Sequence, residues 1–361
     1  MLSPNPSMGQ KETSRVKSVR RTLLAIMRLV IGVGLLIYLA KSGFIRFSTL
    51  NHLLTRWPLT VAACALILLH ITLISVRLSS LFPPQGLKLP LRTALRLTLV
   101  GLFFGTFLPG VAGGDAAKVF YATRENEGRR IQVATLLILD RAIGLFSLLT
   151  LPLLFALLFA QLIARVPTLQ LLLIFSAAFA SLLLVTLLAC LLLQSFVHRL
   201  AGAIHFSRLR NFALRMVEMI GAYRQCPATL WSALGLSLLA NLSIMGVIAL
   251  ALLAVNPASL SWRILLIVPI GQIANGLPLT PGGLGVGEAA FQTLFKLARL
   301  SGGAEAMLCW RIWTVLMSGF GLFLYLRGVG PCAVEAKGDF AAMGKAGHAE
   351  AAVSLSSRRS G

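Results

Sequence analysis

Apolar residues run in long blocks along this chain, and short polar segments rich in lysine and arginine separate the blocks. A helix of about 20 apolar residues is long enough to cross the ~30 Å hydrocarbon core of a bilayer. The pattern therefore predicts an all-α integral membrane protein with about eight hydrophobic helical segments. The long segments fall at residues 22–40, 59–78, 131–160, 168–194, 229–254 and 305–326.

Two further apolar stretches, near residues 91–112 and 270–300, are interrupted by proline and glycine. The loop that follows the first stretch is rich in lysine and arginine, and basic loops stay on the cytoplasmic side. We therefore expect residues 91–112 to enter the membrane and return rather than to cross it. Such broken or re-entrant backbone is tolerated at membrane depth where protein buries it.

The two interrupted stretches share a sequence pattern. Each reads Leu-Pro, three residues, Gly-Gly and then an acid followed by Ala-Ala, and the second copy has four extra residues before its acid. We interpret the pattern as an inverted repeat whose broken elements meet near the midplane; chance recurrence in a glycine-rich apolar chain is the alternative. The turn residues are Pro109, Gly113, Gly114, Pro281, Gly282 and Gly283, and the acids are Asp115 and Glu288.

Residues 196–224 differ from the rest, because apolar positions recur there at helical spacing with arginines between them. This pattern predicts a basic amphipathic helix lying on the inner leaflet. Its role is either anchorage on anionic lipid or delivery of a lipid head group. Residues 1–20 indicate a disordered basic cytoplasmic arm and 329–361 a disordered tail, which leaves 21–328 as one transmembrane domain.

The composition is typical of a membrane protein, and the distribution of charge indicates which class of molecule it binds. The 361 residues are 57% hydrophobic and 12% charged, whereas soluble domains are about 25% charged. A net charge of +22 would suggest nucleic acid in a soluble protein. Here the cations lie mostly between apolar runs, where they set topology and meet anionic lipid. We expect membrane lipids as partners and no nucleic acid.

Motifs for catalysis or for a cofactor are missing from the sequence. The five cysteines form no C-x-x-C pair, which argues against a zinc site or a disulfide framework. No G-x-x-x-x-G-K-[ST] or H-E-x-x-H motif occurs. We therefore expect no catalytic residue, no metal, no cofactor and no enzymatic activity.

Charged residues inside an apolar helix are the main candidates for function. Asp140 and Arg141 lie well inside the 131–160 segment, where a charge costs about 2.5–3.5 kcal/mol on insertion scales. Neighbouring residues on a helix point about 100° apart, so each needs a partner from another element. The candidate partners are Arg77 and Arg311 for Asp140, and Asp115 and Glu288 for Arg141. A structural ion-pair network and a polar cavity for a phosphate or a charged lipid head group both fit.

Two other polar residues lie in the 59–78 segment. We expect His70 to be a hydrogen-bonded packing residue, with a proton relay as the alternative. Arg77 stands at the end of the segment, and we expect its side chain to extend to the membrane interface.

These motifs, in this order, resemble the lysylphosphatidylglycerol synthetase transmembrane-region family, also called the flippase-like domain family. The resemblance covers about residues 20–328. It rests on Leu108-Pro109, Gly113-Gly114-Asp115, Leu139-Asp140-Arg141 and Thr280-Pro281-Gly282-Gly283-Leu284-Gly285 with Glu288. The resemblance implies a bacterial inner-membrane or archaeal protein whose lipid head-group cavity is lined by Asp115, Asp140, Arg141, Glu288 and Arg311.

The resemblance implies a family that includes a membrane domain moving aminoacylated phosphatidylglycerol between leaflets, and stand-alone members of which some are associated with hopanoid or glycolipid synthesis. Only residues 327–361 follow the last segment, so we expect a stand-alone member without an aminoacyl-transferase domain. The implied function is translocation of an anionic or aminoacylated phospholipid, or of a glycolipid, across the inner (plasma) membrane, with both termini cytoplasmic. The alternatives are an ion-coupled small-solute transporter and a non-catalytic subunit that partners lipid-synthesis enzymes.

Overall fold

The computed structural model describes residues 55–107, 112–126, 129–163, 167–192, 207–277, 283 and 285–326, and all regular secondary structure in these ranges is helical. The expected arm (1–20), the first expected segment (22–40) and the expected tail (329–361) lie outside the described residues. In chain order the α-helices longer than one turn are α1 (Trp57–Ser80), α2 (Leu91–Phe107), α3 (Ala112–Glu125), α4 (Arg130–Leu158), α5 (Pro167–Leu192), α6 (Ser207–Ala222), α7 (Pro227–Val255), α8 (Ile264–Asn275), α9 (Val286–Leu297) and α10 (Gly303–Leu326). A single helical turn, Ala160–Ile163, follows α4.

Five stretches are long and apolar enough to cross a membrane: Trp57–Gln85, Ile131–Leu158, Pro167–Leu192, Pro227–Val255 and Gly303–Leu326. They confirm the five predicted long segments that fall on described residues. Proline occupies the first turn of α1 and of α7, where the missing N–H has no helical acceptor in any case.

Residues 91–125 and 264–297 each contain a pair of short helices. The helix Ala112–Glu125 occupies residues that the sequence predicted as a basic loop, so that loop prediction is wrong there. Hairpin 1 consists of α2 and α3, hairpin 2 consists of α8 and α9, and the two helices of each hairpin pack on each other. Their lengths of 17, 14, 12 and 12 residues fall short of the ~20 residues that a spanning helix needs. The prediction of broken elements near 91–112 and 270–300 is therefore confirmed, while their re-entry into a membrane stays a prediction.

The order long, short, short, long occurs twice, in α1–α4 and again in α7–α10. At the base of hairpin 1, the Arg129 side chain just before α4 donates a hydrogen bond to the Gly86 carbonyl, 3.2 Å away. Just after α4, Phe159 stacks on Trp262 with ring centroids 5.0 Å apart, and Trp262 lies at the base of hairpin 2. The two hairpins thus have their bases at opposite ends of α4, which is the arrangement that an inverted repeat requires.

The apolar core has two parts. One surrounds α7, α8, α9 and α10 and includes Ile248, Phe291 and Trp313. The other lies where α1, α4 and α6 meet and includes Leu78 and Leu136. The described residues up to Leu322 belong to one unit, and Phe323–Leu326 belong to a second.

Within the predicted amphipathic segment, residues 207–222 form helix α6, and 196–206 lie outside the described residues. Val217 and Ile220 are buried, whereas Arg210 and Arg215 are exposed. Helix α6 therefore has a buried apolar side and an exposed side that carries arginines. The apolar side of α6 packs on α4 and α5. Contact of the arginine-bearing side of α6 with the inner leaflet stays a prediction.

Candidate functional site

A buried ion pair joins α1 to α4. The Arg77 guanidinium donates from Nε to Asp140 Oδ1 at 2.7 Å and from Nη2 to Oδ2 at 2.8 Å. Arg77 is 7% exposed and Asp140 8% exposed. The expectation that Arg77 extends to the interface is therefore wrong, because a bidentate carboxylate partner lies within the bundle and satisfies its charge there.

Polar groups on α4 and α7 complete the surroundings of this pair. Arg77 Nη1 donates to the Ser237 hydroxyl at 2.8 Å. Gly144, one turn after Asp140, leaves room for the guanidinium, since a Cβ there would lie 3.1 Å from Arg77 Nη1. About one turn after Gly144 on α4, the Ser147 hydroxyl accepts a hydrogen bond from the Asn241 side chain on α7 at 2.7 Å. The cluster holds α1, α4 and α7 together by hydrogen bonds that replace water inside an apolar bundle.

His70 lies on α1 about two turns before Arg77. Its Nδ1 is 2.9 Å from the Ala240 carbonyl on α7. A ring nitrogen that donates to a backbone carbonyl fixes the side chain in place, which agrees with the expected packing role.

A second buried ion pair belongs to hairpin 2. Arg311 on α10 donates from Nε to Glu288 Oε1 at 2.7 Å and from Nη2 to Oε2 at 3.2 Å. Arg311 Nη2 also donates to the Gly283 carbonyl at 3.0 Å and to Asn275 Oδ1 at 3.2 Å. Arg311 is 3% exposed. The guanidinium thereby ties α10 to both helices of hairpin 2.

Two positions in the backbone around Arg311 have room only for glycine. Gly283 has φ +73°, and a Cβ there would lie 2.5 Å from the Asn275 carbonyl oxygen. A Cβ at Gly287 would lie 2.5 Å from Asn275 Oδ1 and 2.9 Å from Arg311 Nη2. Glu288 also caps α9, because its Oε2 accepts from the Gly285 amide at 2.8 Å. The glycine run therefore lets the backbone come within reach of the guanidinium.

A third ion pair, on hairpin 1, is looser. Arg141 Nε on α4 lies 3.5 Å from Asp115 Oδ2 on α3, and Lys118 Nζ lies 3.9 Å from Asp115 Oδ1. Both distances exceed the usual 2.7–3.2 Å of an N–H···O hydrogen bond. The side chains of Arg141 and Asp115 are 42% and 34% exposed. These three residues, called the open cluster below, carry two cations and one acid.

Glycines hold the two helices of hairpin 1 close together. A Cβ at Gly114 on α3 would lie 2.3 Å from the Gly101 carbonyl on α2 and 3.4 Å from the Gly105 Cα. Gly101 and Gly105 form a small-residue face of the G-x-x-x-G kind that brings helix backbones into contact. The close packing fixes Asp115 and Lys118 next to α4.

The expected partners proved partly right. Asp140 pairs with Arg77 and Arg141 pairs with Asp115, each one of two candidates, whereas Glu288 and Arg311 pair with each other. Gly113 and Gly114 lie in the first turn of α3, and the turn residues Pro109, Pro281 and Gly282 lie outside the described residues.

Sequence analysis missed several residues of these charged clusters. The sequence predicted a basic loop that includes Lys118, whereas helix α3 places Lys118 one helical turn after Asp115. Asn275 and Ser237 carry no charge, so no pattern in the sequence indicated them. Their contacts with Arg311 and Arg77 are visible only in the packed structure. Within the described ranges, no three His, Cys, Asp or Glu side chains cluster closely enough to share a metal ion.

Comparison with known proteins supports the resemblance found in the sequence. The chain matches the family model described as lysylphosphatidylglycerol synthase TM region over residues 25–321. No curated protein matches the chain, and no solved structure matches it. The matched range contains both hairpins and all three ion pairs.

Proposed function

The chain belongs to the lysylphosphatidylglycerol synthase TM region family, and from this premise we propose that it binds a polar lipid head group within the bilayer and translocates it between leaflets. It is a multi-pass membrane protein with five described helices that can span. We place it in the inner (plasma) membrane with both termini cytoplasmic, acting as a carrier and not as an enzyme.

The observation that carries the proposal is the contrast between closed and open ion pairs. Arg77–Asp140 and Arg311–Glu288 are bidentate and buried, so their charges are already satisfied. In the open cluster the distances are long and the side chains of Asp115 and Arg141 are about one third or more exposed. A cationic pair that is only partly neutralised can accept a further anion.

Each residue of the open cluster has a role in this scheme. Arg141 and Lys118 meet the lipid phosphate, because a guanidinium and an ammonium both donate strongly to phosphate oxygens. Asp115 orients the two cations and meets the amine of an aminoacylated head group. Glu288 and Arg311 line the path from the side of hairpin 2, and Arg77–Asp140 holds the bundle around it.

A leaflet assay in proteoliposomes tests the proposal. Fluorescent phosphatidylglycerol, aminoacylated phosphatidylglycerol and phosphatidylcholine are scored separately for protection from an impermeant quencher. We expect head-group-selective exchange above that of protein-free vesicles. Arg141→Ala removes a charge-assisted contact of about 1.5–3 kcal/mol, so we expect exchange to slow by at least about tenfold.

The matched control is Lys296→Ala, which removes one cation from an exposed position in the last turn of α9. It should leave exchange unchanged. Absence of exchange for every lipid in the wild-type protein would refute the proposal. Protein-dependent uptake of a soluble solute into the same vesicles would then favour the ion-coupled transporter, and co-purification of a synthesis enzyme would favour a subunit.

A further inference from the structure

The end of α6 is fastened to the loop that connects α1 with α2. The Tyr223 hydroxyl, just after α6, donates to the Leu81 carbonyl, and Gln85 Nε2 donates to the Met219 carbonyl at 2.7 Å. Tyr223 is fully buried. Burial raises the pKa of Tyr223, so its hydroxyl stays protonated and remains a donor throughout the neutral range.

The same loop is fastened to the base of hairpin 1. Arg129 Nη1 donates to the Gly86 carbonyl at 3.2 Å, and Asn126 Nδ2 contacts the Lys88 carbonyl at 3.4 Å. Gly86 has φ +65°, which closes the 3₁₀ turn at Pro83–Gln85 and which glycine adopts without strain. The loop at 81–90 therefore connects α6 to the hairpin that carries the open cluster.

Six cations on the elements that meet at this junction have exposed side chains. We call these six the basic face. They lie on α6, in the turn after it and at the base of hairpin 1: Lys88, Arg92, Arg129, Arg210, Arg215 and Arg224. Among the acids whose side chains the structure describes here, Glu218 is the one exposed on α6. The opposite side of α6 is apolar and packs on α4 and α5. The face is therefore strongly cationic and its helix is held by the bundle.

We propose that the basic face binds the anionic lipid surface of its own membrane, and that this contact holds the base of hairpin 1 through the loop at 81–90. Phospholipid head groups are the partner because the face lies at the ends of helices that can span the membrane, where anionic lipid attracts juxtamembrane Lys and Arg. The coupling to the open cluster rests on the proposed function; the lipid contact does not.

Cys226 provides a probe of the lipid contact. It is exposed and lies two residues after Arg224, whereas Cys190 and Cys309 are buried. The full chain is placed in two kinds of nanodisc, one of pure phosphatidylcholine and one in which about one third of the lipid is phosphatidylglycerol. The second presents an anionic surface that attracts the basic face. Labelling of Cys226 by an uncharged, impermeant polymer maleimide is followed by mass spectrometry. We expect anionic lipid to slow labelling by about threefold or more, since lipid head groups gather at the face.

Two double variants separate this contact from general charge effects. Arg215→Gln with Arg224→Gln removes the two cations nearest Cys226 in the chain and should clearly weaken the lipid dependence of Cys226 labelling. Lys296→Gln with Arg299→Gln removes the same charge from exposed positions at the base of hairpin 2 and should preserve it. Equal labelling rates in both lipids for the wild-type protein would overturn the proposal, as would equal protection in the two double variants.

The coupling is tested with Tyr223→Phe, which removes one hydroxyl and its bond to Leu81. In the wild-type protein, the coupling predicts that the rate of lipid exchange rises with the anionic lipid content. We expect Tyr223→Phe to keep the lipid dependence of Cys226 labelling and to lose this rise in the exchange rate. If wild-type protein exchanges no lipid, the proposed function fails and the labelling result still decides the lipid contact. Exchange that follows anionic content equally in the variant and the wild type would refute the coupling.

Discussion

Hairpins 1 and 2 each present an acid in the first turn of their second helix, and each acid faces an arginine on the next long helix. In hairpin 2 the pair Glu288–Arg311 is bidentate, at 2.7 and 3.2 Å, and Arg311 also bonds to Asn275 and Gly283. In hairpin 1 the pair Asp115–Arg141 is separated by 3.5 Å. The same sequence pattern therefore supports one closed pair and one open pair.

The difference has identifiable causes. Glutamate is one methylene longer than aspartate, so Glu288 reaches both the Gly285 amide and the guanidinium. Gly283 and Gly287 bring Asn275 against Arg311, whereas the glycines of hairpin 1 bring two helix backbones together instead. The closed pair therefore holds α10 against hairpin 2, whereas the partly exposed side chains of the open cluster can contact a further charged group.

The largest effect should come from truncating the two acids. Glu288→Ala leaves the buried Arg311 charge without its carboxylate, and breaking a buried pair in this way costs about 3–5 kcal/mol. Asp115→Ala makes the same kind of truncation at the equivalent position but breaks a half-exposed pair, so its cost should stay within about 1 kcal/mol. Unfolding titrations of both variants in mixed micelles measure the difference.

A double variant checks the reason for this effect. Glu288→Ala combined with Arg311→Ala removes both charges, so it should be less unstable than the sum of the two single variants. Strict additivity, or equal losses for the acids of the two hairpins, would show that the closed pair is not what holds hairpin 2.

Gly287→Ala is the next largest perturbation. The added methyl would lie 2.5 Å from Asn275 Oδ1 and 2.9 Å from Arg311 Nη2, and overpacking of this kind costs about 1–3 kcal/mol. Gly235→Ala is the matched control on α7, because a Cβ there meets nothing within 4 Å, and it should be neutral or slightly stabilising. A loss of thermal stability in the Gly235 variant as large as in the Gly287 variant would contradict the packing explanation.

Sequence predicted the elements of this fold better than the partners of its charges. Spans and broken elements follow from apolar run length and from glycine and proline, which are local properties. Arg77 stands at the end of an apolar run, where a local pattern predicts extension to the interface. Its actual partner is 63 residues away in the chain. Packing of distant helices decides such pairs, so sequence could name two candidates for each charge and no more.

Asp115→Asn should sharpen the contrast in ligand binding. The substitution leaves Lys118 and Arg141 without a counter-charge, so an anionic lipid should bind more tightly by about 0.5–1 kcal/mol, the size expected for a partly exposed charge. Native mass spectrometry of phosphatidylglycerol retention should show a rise of about two- to fivefold. Glu288→Gln, the matched amide substitution at the closed pair, should show no such rise, and tighter binding there would place the ligand at hairpin 2.

Salt should produce the smallest of these effects. Raising the ionic strength from 0.1 to 1 M shortens the Debye length from about 10 Å to about 3 Å, which weakens exposed charges far more than buried ones. Retention of phosphatidylglycerol should therefore fall with salt in the wild type and in Asp115→Asn, because both bind through the partly exposed cations of the open cluster. The stability lost in Glu288→Ala should change little over the same range, since Arg311 is 3% exposed. A loss in Glu288→Ala that shrinks with salt would mean that solvent reaches the closed pair and that the two hairpins are alike in this respect.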